Sequence, residues 1–139
     1  MKKALIIVFS VILIVAVFYA IWGRDLYYNF RDKKYWAELS SKISTDQIEE
    51  VSLDYKAILE DDEFKKFITD MKVAEFYRSN WRKQGPTGPV ITIKFKDGTS
   101  QHFQYWGGGV YETSFKEGQF LIRNIELDTI LEKYDIKLI

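Results

Sequence analysis

His102 is the only histidine in the chain, and histidine is the side chain that enzymes most often use as a general base. A general base needs an orienting partner and a nucleophile nearby, and the sequence contains no Gly-x-Ser-x-Gly motif to supply one. Apolar alternation through Phe103 and Tyr105 also directs His102 to the opposite face of its strand. We therefore predict a solvent-facing histidine and no catalytic residue. A small hydrolase or metal-dependent enzyme that pairs His102 with a carboxylate is the alternative.

Four consecutive acids, Glu60-Asp61-Asp62-Glu63, are the best candidates for ligands of a hard cation such as calcium or magnesium. They lack the spaced Asp-x-Asp-x-Asp-Gly arrangement that wraps an ion, and helical spacing follows them. Acids in the first turn of a helix complement its dipole and cap its free N–H groups. A chain with one histidine and no cysteine also lacks a usual zinc ligand set. The sequence thus predicts neither a metal nor a cofactor.

The Gly107-Gly108-Gly109 run offers backbone N–H groups to a phosphate, but it lacks the Gly-x-x-x-x-Gly-Lys-Ser/Thr arrangement and leads into a strand. A flexible hairpin loop is the better interpretation. Aromatic and arginine side chains beside such glycines are typical of recognition surfaces. The residues predicted to bind a partner are Trp81, Arg82, Trp106, Gly107, Gly108, Gly109 and Tyr111. Core filling is the competing interpretation for both tryptophans.

Every residue from 4 to 22 is apolar or aromatic except Ser10. A helix over these positions would be about 28 Å long, close to the roughly 30 Å hydrocarbon core of a bilayer. A cleaved signal peptide is the alternative, but its apolar region is usually shorter, and cleavage after Ala20 would put the bulky Phe18 where a small residue is required. We predict a retained anchor that contacts lipid through residues 4–22, and we disfavour secretion after cleavage.

A short basic N-terminal tail usually stays in the cytoplasm, which predicts a cell-membrane protein with residues 24–139 outside; the opposite orientation is the alternative. Without cysteine, an outside domain folds without disulfides, which suits a bacterial cell surface. Basic side chains and rings with one polar edge gather at the membrane interface. The residues predicted to lie there are Lys2, Lys3, Tyr19, Trp22, Arg24, Tyr27 and Tyr28.

Charge is divided unevenly along the chain, whose formal net charge is zero. Residues 1–43 contain 7 Lys plus Arg against 3 acids, a net charge of +4, whereas residues 44–139 contain 13 against 17, a net charge of −4. Anionic lipid attracts the first part and repels the second, which predicts a distal domain that stands off the membrane surface. The negative sign also argues against nucleic-acid binding.

The distal part begins with one strand pattern and one helix pattern. Residues 48–58 alternate as a half-buried strand, and a helical stripe then recurs at i, i+3, i+4 and i+7 in Phe64, Phe67, Ile68 and Met71. Residues 84–89, which are rich in proline and glycine, end this helical region.

Four alternating strands then follow, joined by tight turns into an antiparallel meander. With a three-residue first turn, Ile91 pairs with Phe103. With Glu117-Gly118 as a two-residue last turn, Phe115 pairs with Phe120. Both registers place the apolar residues of neighbouring strands on one face of the sheet.

These patterns predict an α+β fold, in which a transmembrane helix precedes a small antiparallel meander packed against two or three helices. Asn124 is a good N-cap for the last of these helices. The predicted divisions are a membrane anchor over 1–23, a juxtamembrane helix over 24–43 and a soluble α+β domain over 44–139.

Since neither a catalytic nor a cofactor motif is present, we predict a single-pass membrane protein whose distal domain binds a protein or envelope component. An accessory subunit, an immunity-type factor or a sensor-type module would each fit this interpretation. A purely structural anchor is a further alternative. The sequence does not indicate an oligomeric state.

Overall fold

The computed structural model describes residues 1–81, 85 and 88–138. Its N-terminal part is a continuous helical rod of 40 residues, Lys2–Ser41. The rod consists of α1 (Lys2–Phe18), a π-helical turn (Tyr19–Gly23) and α2 (Arg24–Ser41). By length and composition this helix is long and apolar enough to cross a membrane, and its apolar window is entirely exposed.

The π-helical turn joins the apolar and polar halves of the rod without a break. The Tyr19 ring lies against Gly23, and a Cβ atom at Gly23 would be only 2.5 Å from that ring. A larger residue at position 23 would therefore displace the Tyr19 ring from this wide turn, which holds an extra residue while the helix continues. The helix continues past Gly23 and ends at Ser41.

The remaining chain forms one antiparallel sheet of seven described strands with two further helices, which confirms the α+β class. The helices are α3 (Asp61–Lys72) and α4 (Glu126–Lys133). The strands are β1 (Ile48–Leu53), β2 (Ala57–Ile58), β3 (Glu75–Ser79), β4 (Val90–Phe95), β5 (Ser100–Gly107), β6 (Val110–Phe115) and β7 (Gly118–Arg123). Their order across the sheet is β2-β1-β4-β5-β6-β7-β3, so that the meander β4 to β7 forms the centre.

One face of the sheet is covered by α2, α3 and α4, and the core lies between them. Helix α2 crosses the strands near their ends: the Asn29 side chain reaches Ser79 of β3, and Tyr35 stacks on Phe115 of β6 at 4.1 Å between ring centroids. Its later turns put further apolar side chains into the same core, namely Trp36 and Leu39, followed by Ile43 just beyond the helix. The core therefore includes the segment that we expected to lie between membrane and domain.

The register of the first hairpin is confirmed, and that of the last is wrong by two residues. Ile91 pairs with Phe103 as expected. At the last turn, Phe115 pairs with Gly118 and Thr113 with Phe120, which makes Lys116-Glu117 the two-residue turn. The apolar residues still share one face because a shift of two residues preserves the alternation of side chains. Hydrophobic pattern fixes which face is buried, and it fixes the register only to within two residues.

Two shorter segments differ from the sequence-based expectation. Helix α3 ends at Lys72, and residues 75–79 form the edge strand β3 where we expected a longer helical region. A bulge between Phe76 and Arg78 interrupts the alternation of β3, which removes the pattern by which a strand is recognised. The expected strand over 48–58 turns at Tyr55, which is exposed with a positive φ of 57°, and continues as β2.

Candidate interaction surface

The face of the sheet opposite the helices carries a polar and aromatic cluster, which we call the outer cluster: Arg78, Asn80, Trp106 and Glu112. The Asn80 amide donates a hydrogen bond to the Glu112 carboxylate. The Arg78 guanidinium lies over the Trp106 ring, 5.3 Å from its centroid, in a cation–π contact. Strands β3, β5 and β6 thus bring together an arginine, a tryptophan and a carboxylate that are far apart in sequence.

Partial burial of Glu112 raises the pKa of its carboxyl above the usual range, against the opposing effects of Asn80 and Trp106, which lower it. The Trp106 indole N–H lies close enough to the carboxylate to affect its pKa, although it makes no hydrogen bond of normal geometry. The outer cluster therefore holds a carboxyl that gains a proton more readily than an exposed glutamate. Such a group accepts hydrogen bonds when ionised and can also donate one when protonated.

We expect Glu112→Gln to change how stability depends on pH. Because the pKa of Glu112 is raised in the folded state, its stabilising contribution is fully present below the unfolded pKa near 4.5 and is lost as pH rises through the folded pKa. The variant cannot titrate, so its free energy of unfolding should rise relative to wild type as pH increases through that window. Urea unfolding at a series of pH values measures this difference.

Glu117→Gln, on the exposed β6–β7 turn, removes a charge of the same sign without touching the outer cluster and is the matched control. A Glu112→Gln curve that ran parallel to the wild-type curve between acidic and neutral pH would contradict the raised pKa.

The triple-glycine turn makes hydrogen bonds on both sides. The Gly108 N–H donates to the Tyr105 hydroxyl at 3.0 Å, and the Gly109 N–H donates to the Asp128 carboxylate at 3.0 Å. All three glycines have positive φ, and Gly109 also packs so closely on the residue that precedes α4 that a Cβ atom would lie 2.7 Å from the Ile125 Cα. Here glycine permits close packing of a turn on a helix.

Tyr111 and Gly109 are buried, so neither offers contact area to a partner in this conformation, which corrects the prediction for these two residues. The Tyr111 hydroxyl donates to Asp128 at 2.7 Å, and burial together with Asp128 raises the pKa of this phenol strongly. Gly107 and Gly108 remain at the edge of the turn, where Gly108 is exposed. Of the predicted binding residues at this turn, Trp106 is the one that belongs to the outer cluster.

Trp81 lies beside the start of α2, at the opposite end of β3 from the glycine turn. Its indole N–H donates to the Asp25 carboxylate at 2.6 Å, and its ring stacks on Tyr28 with 5.7 Å between centroids. Trp81 and Tyr28 therefore pack on each other. The predicted contact residue Arg82 lies outside the described residues.

The residues considered for catalysis and metal binding lie apart from the outer cluster. His102 is exposed on β5, and its Nδ1 lies 3.0 Å from the Thr92 hydroxyl. Glu63 accepts a hydrogen bond from the Tyr134 hydroxyl and forms an ion pair with Lys133, and these contacts lower its pKa. Within residues 1–81, 85 and 88–138, acids and the histidine form no group of three that could hold a metal ion.

Of the outer cluster, sequence reasoning found Trp106 and missed Arg78, Asn80 and Glu112; it also missed Asp128. Asp128 is buried on α4 and accepts two hydrogen bonds that only the tertiary fold supplies. Its position in the first turn of an acidic, amphipathic helix made it look like an ordinary surface carboxylate. Asn80 follows β3, whose bulge breaks the alternating pattern by which a strand is recognised. The local sequence therefore does not indicate that Asn80 lies close to Glu112.

Comparison with protein-family models gave no match to this chain, and neither curated proteins nor solved structures gave one. The functional argument therefore depends on the residues and geometry described above.

Proposed function

We propose that this chain is a single-pass membrane-anchored protein whose α+β domain is a non-catalytic binding module. In this proposal the N-terminus is cytoplasmic, residues 4–22 contact lipid and the domain lies outside the cell. The observation that supports it best is the unbroken helix from the exposed apolar half into the core, ending next to the buried Trp36 and Leu39. A helix whose apolar residues are exposed on every side requires an apolar environment, and its continuation fixes the domain beside that environment.

The outer cluster is the surface that we propose for the partner. Tryptophan and arginine are enriched among the residues that dominate binding energy, and here Arg78 stacks on Trp106 beside a carboxyl. The opposite face of the sheet is covered by the three packed helices, whereas Arg78, Trp106 and Glu112 on the outer face are only partly buried. A protein or envelope component with an aromatic or acidic group opposite Arg78 would fit this chemistry.

Replacing Trp106 and Arg78 together with alanine should weaken partner binding by about 2 kcal/mol or more, roughly thirtyfold in affinity. The measurement is photo-crosslinking of the full-length protein in its native membrane from a probe at Ser114, which is exposed two residues along β6 from Glu112. We expect one specific crosslinked partner, and we expect it to be lost in the double variant.

A probe at the exposed Lys65 of α3 is the positional control, because it reports the helix-covered side of the domain. Equal crosslinking from both positions, or crosslinking that survives the double variant, would contradict the proposed surface. His102→Gln should leave the crosslink unchanged. An activity that depended on His102 would instead support the enzyme alternative.

A further inference from the structure

The side of α2 that faces away from the sheet is apolar where it leaves the spanning segment. Leu26 and Tyr27 are each 60% exposed, and Phe30 is 75% exposed. Exposed basic side chains surround them: Arg24, Lys33 and Lys34. An exposed apolar stripe bordered by lysine and arginine is the arrangement by which helices lie against a lipid surface.

The structure places this stripe at the level of the lipid headgroups, if the apolar half spans a membrane as proposed above. Trp22 ends the apolar run, and the domain already contacts the rod at Asp25 through Trp81. Three residues of helix correspond to about 4.5 Å, less than the roughly 5–7 Å thickness of one headgroup layer. With the anchor placed in this way, the domain lies at the membrane surface, whereas charge alone predicts that it stands off.

We propose that the exposed face of α2 docks on anionic lipid headgroups and holds the domain against the bilayer. Side chains on a helix tilt toward its N-terminus, which for α2 is the direction of the bilayer. Phe30 lies eight residues past Trp22, about 12 Å along the axis, so a tilt of the rod toward the exposed face brings its ring to the headgroups. The basic residues beside it then meet lipid phosphates.

A second copy of this chain is the competing occupant, because two parallel rods could pack through the same stripe. A symmetric pair would bring Lys33 and Lys34 of both copies close together around Phe30, and like charges at an interface oppose association. Anionic lipid complements these same charges. Charge therefore favours lipid.

The proposal rests on the membrane anchor, so the test measures both. The chain has no cysteine, so a single introduced cysteine carries one nitroxide label without competition. Full-length variants Ile12→Cys, Phe30→Cys and Ala37→Cys are placed in phosphatidylcholine vesicles with and without phosphatidylglycerol. Collision rates with oxygen and with a water-soluble nickel complex report the depth of each label. Ala37 is the matched control, because it is exposed two helical turns beyond Phe30 on the same face.

We expect the oxygen-to-nickel ratio at position 30 to exceed that at position 37 several-fold in vesicles containing phosphatidylglycerol. The excess should shrink in pure phosphatidylcholine and in the Lys33→Gln, Lys34→Gln background. A ratio at 30 equal to that at 37, with position 12 in lipid, would overturn the docking and leave the anchor standing. Position 12 exposed to nickel would overturn the anchor itself, and the docking with it.

Two other results would also overturn the assignment to anionic lipid. An equal oxygen-to-nickel ratio at position 30 in vesicles with and without phosphatidylglycerol would show that lipid charge has no role in the docking. Spin–spin broadening at position 30 that disappears on dilution with unlabelled protein would identify a second copy as the occupant.

Discussion

Trp36→Ala is expected to lower the free energy of unfolding by about 4 kcal/mol, the scale observed when a buried aromatic side chain is removed from a core. The Trp36 ring is buried against Phe103 and Phe120, each at 6.2 Å between centroids. Its indole N–H also donates to the Ala74 carbonyl at 3.0 Å, and the variant leaves that buried acceptor without its donor. Urea unfolding of the full-length protein in detergent, followed by circular dichroism, measures the loss.

Phe30→Ala is the matched control, because it removes an aromatic ring from the opposite, exposed side of the same helix. Its effect on unfolding should remain within about 0.5 kcal/mol, as for other surface substitutions. A loss below about 1 kcal/mol for Trp36→Ala would mean that α2 is only loosely attached and that the folded domain begins after residue 43.

Asp128→Ala is expected to destabilise the domain by about 3 kcal/mol. The carboxylate accepts hydrogen bonds from the Tyr111 hydroxyl and the Gly109 N–H, and bonds to a charged acceptor are worth more than neutral ones. The variant leaves both donors buried without their acceptor. It should also loosen the glycine turn, so that the Gly109 amide exchanges its hydrogen faster in deuterium-exchange measurements.

The exposed Glu132→Ala on the same helix controls for loss of an acid from α4. Tyr111→Phe and the double variant complete a double-mutant cycle, and a coupling energy near zero between positions 111 and 128 would contradict the hydrogen bond. In the expected outcome, Tyr111→Phe alone is milder than Asp128→Ala because Gly109 keeps its acceptor.

Alternation was enough to predict the central meander and which of its faces the helices cover, although Leu121 is also fully buried on the opposite face. Ile91, Phe103 and Phe120 all lie on the helix-covered face, as their period of two requires. The same period does not distinguish between two registers of β6 and β7 that differ by two residues. This is the source of the error at the Lys116-Glu117 turn. Helical spacing likewise predicted the buried side of α3, where Phe67 and Met71 are fully buried.

What the sequence could not predict depends on contacts between distant residues. The partners of Asp128 come from β6 and from a turn, and the partner of Asn80 is 32 positions away. Helix α2 looked like a connector because its aromatic residues also fit a membrane interface. Only the packed fold shows that one side of α2 faces the core and the other the exterior, with Trp36 buried and Phe30 exposed.

The continuous helix Lys2–Ser41 links the orientation of the domain to that of the apolar half. The π-helical turn continues directly into α2. The rotational position of Trp106 about the helix axis is therefore set by the number of residues between the apolar half and the core. Adding or deleting one residue in that stretch would rotate the sheet by about 100° and move it by about 1.5 Å. The direction in which the outer cluster faces about the helix axis thus depends on the number of residues in this stretch.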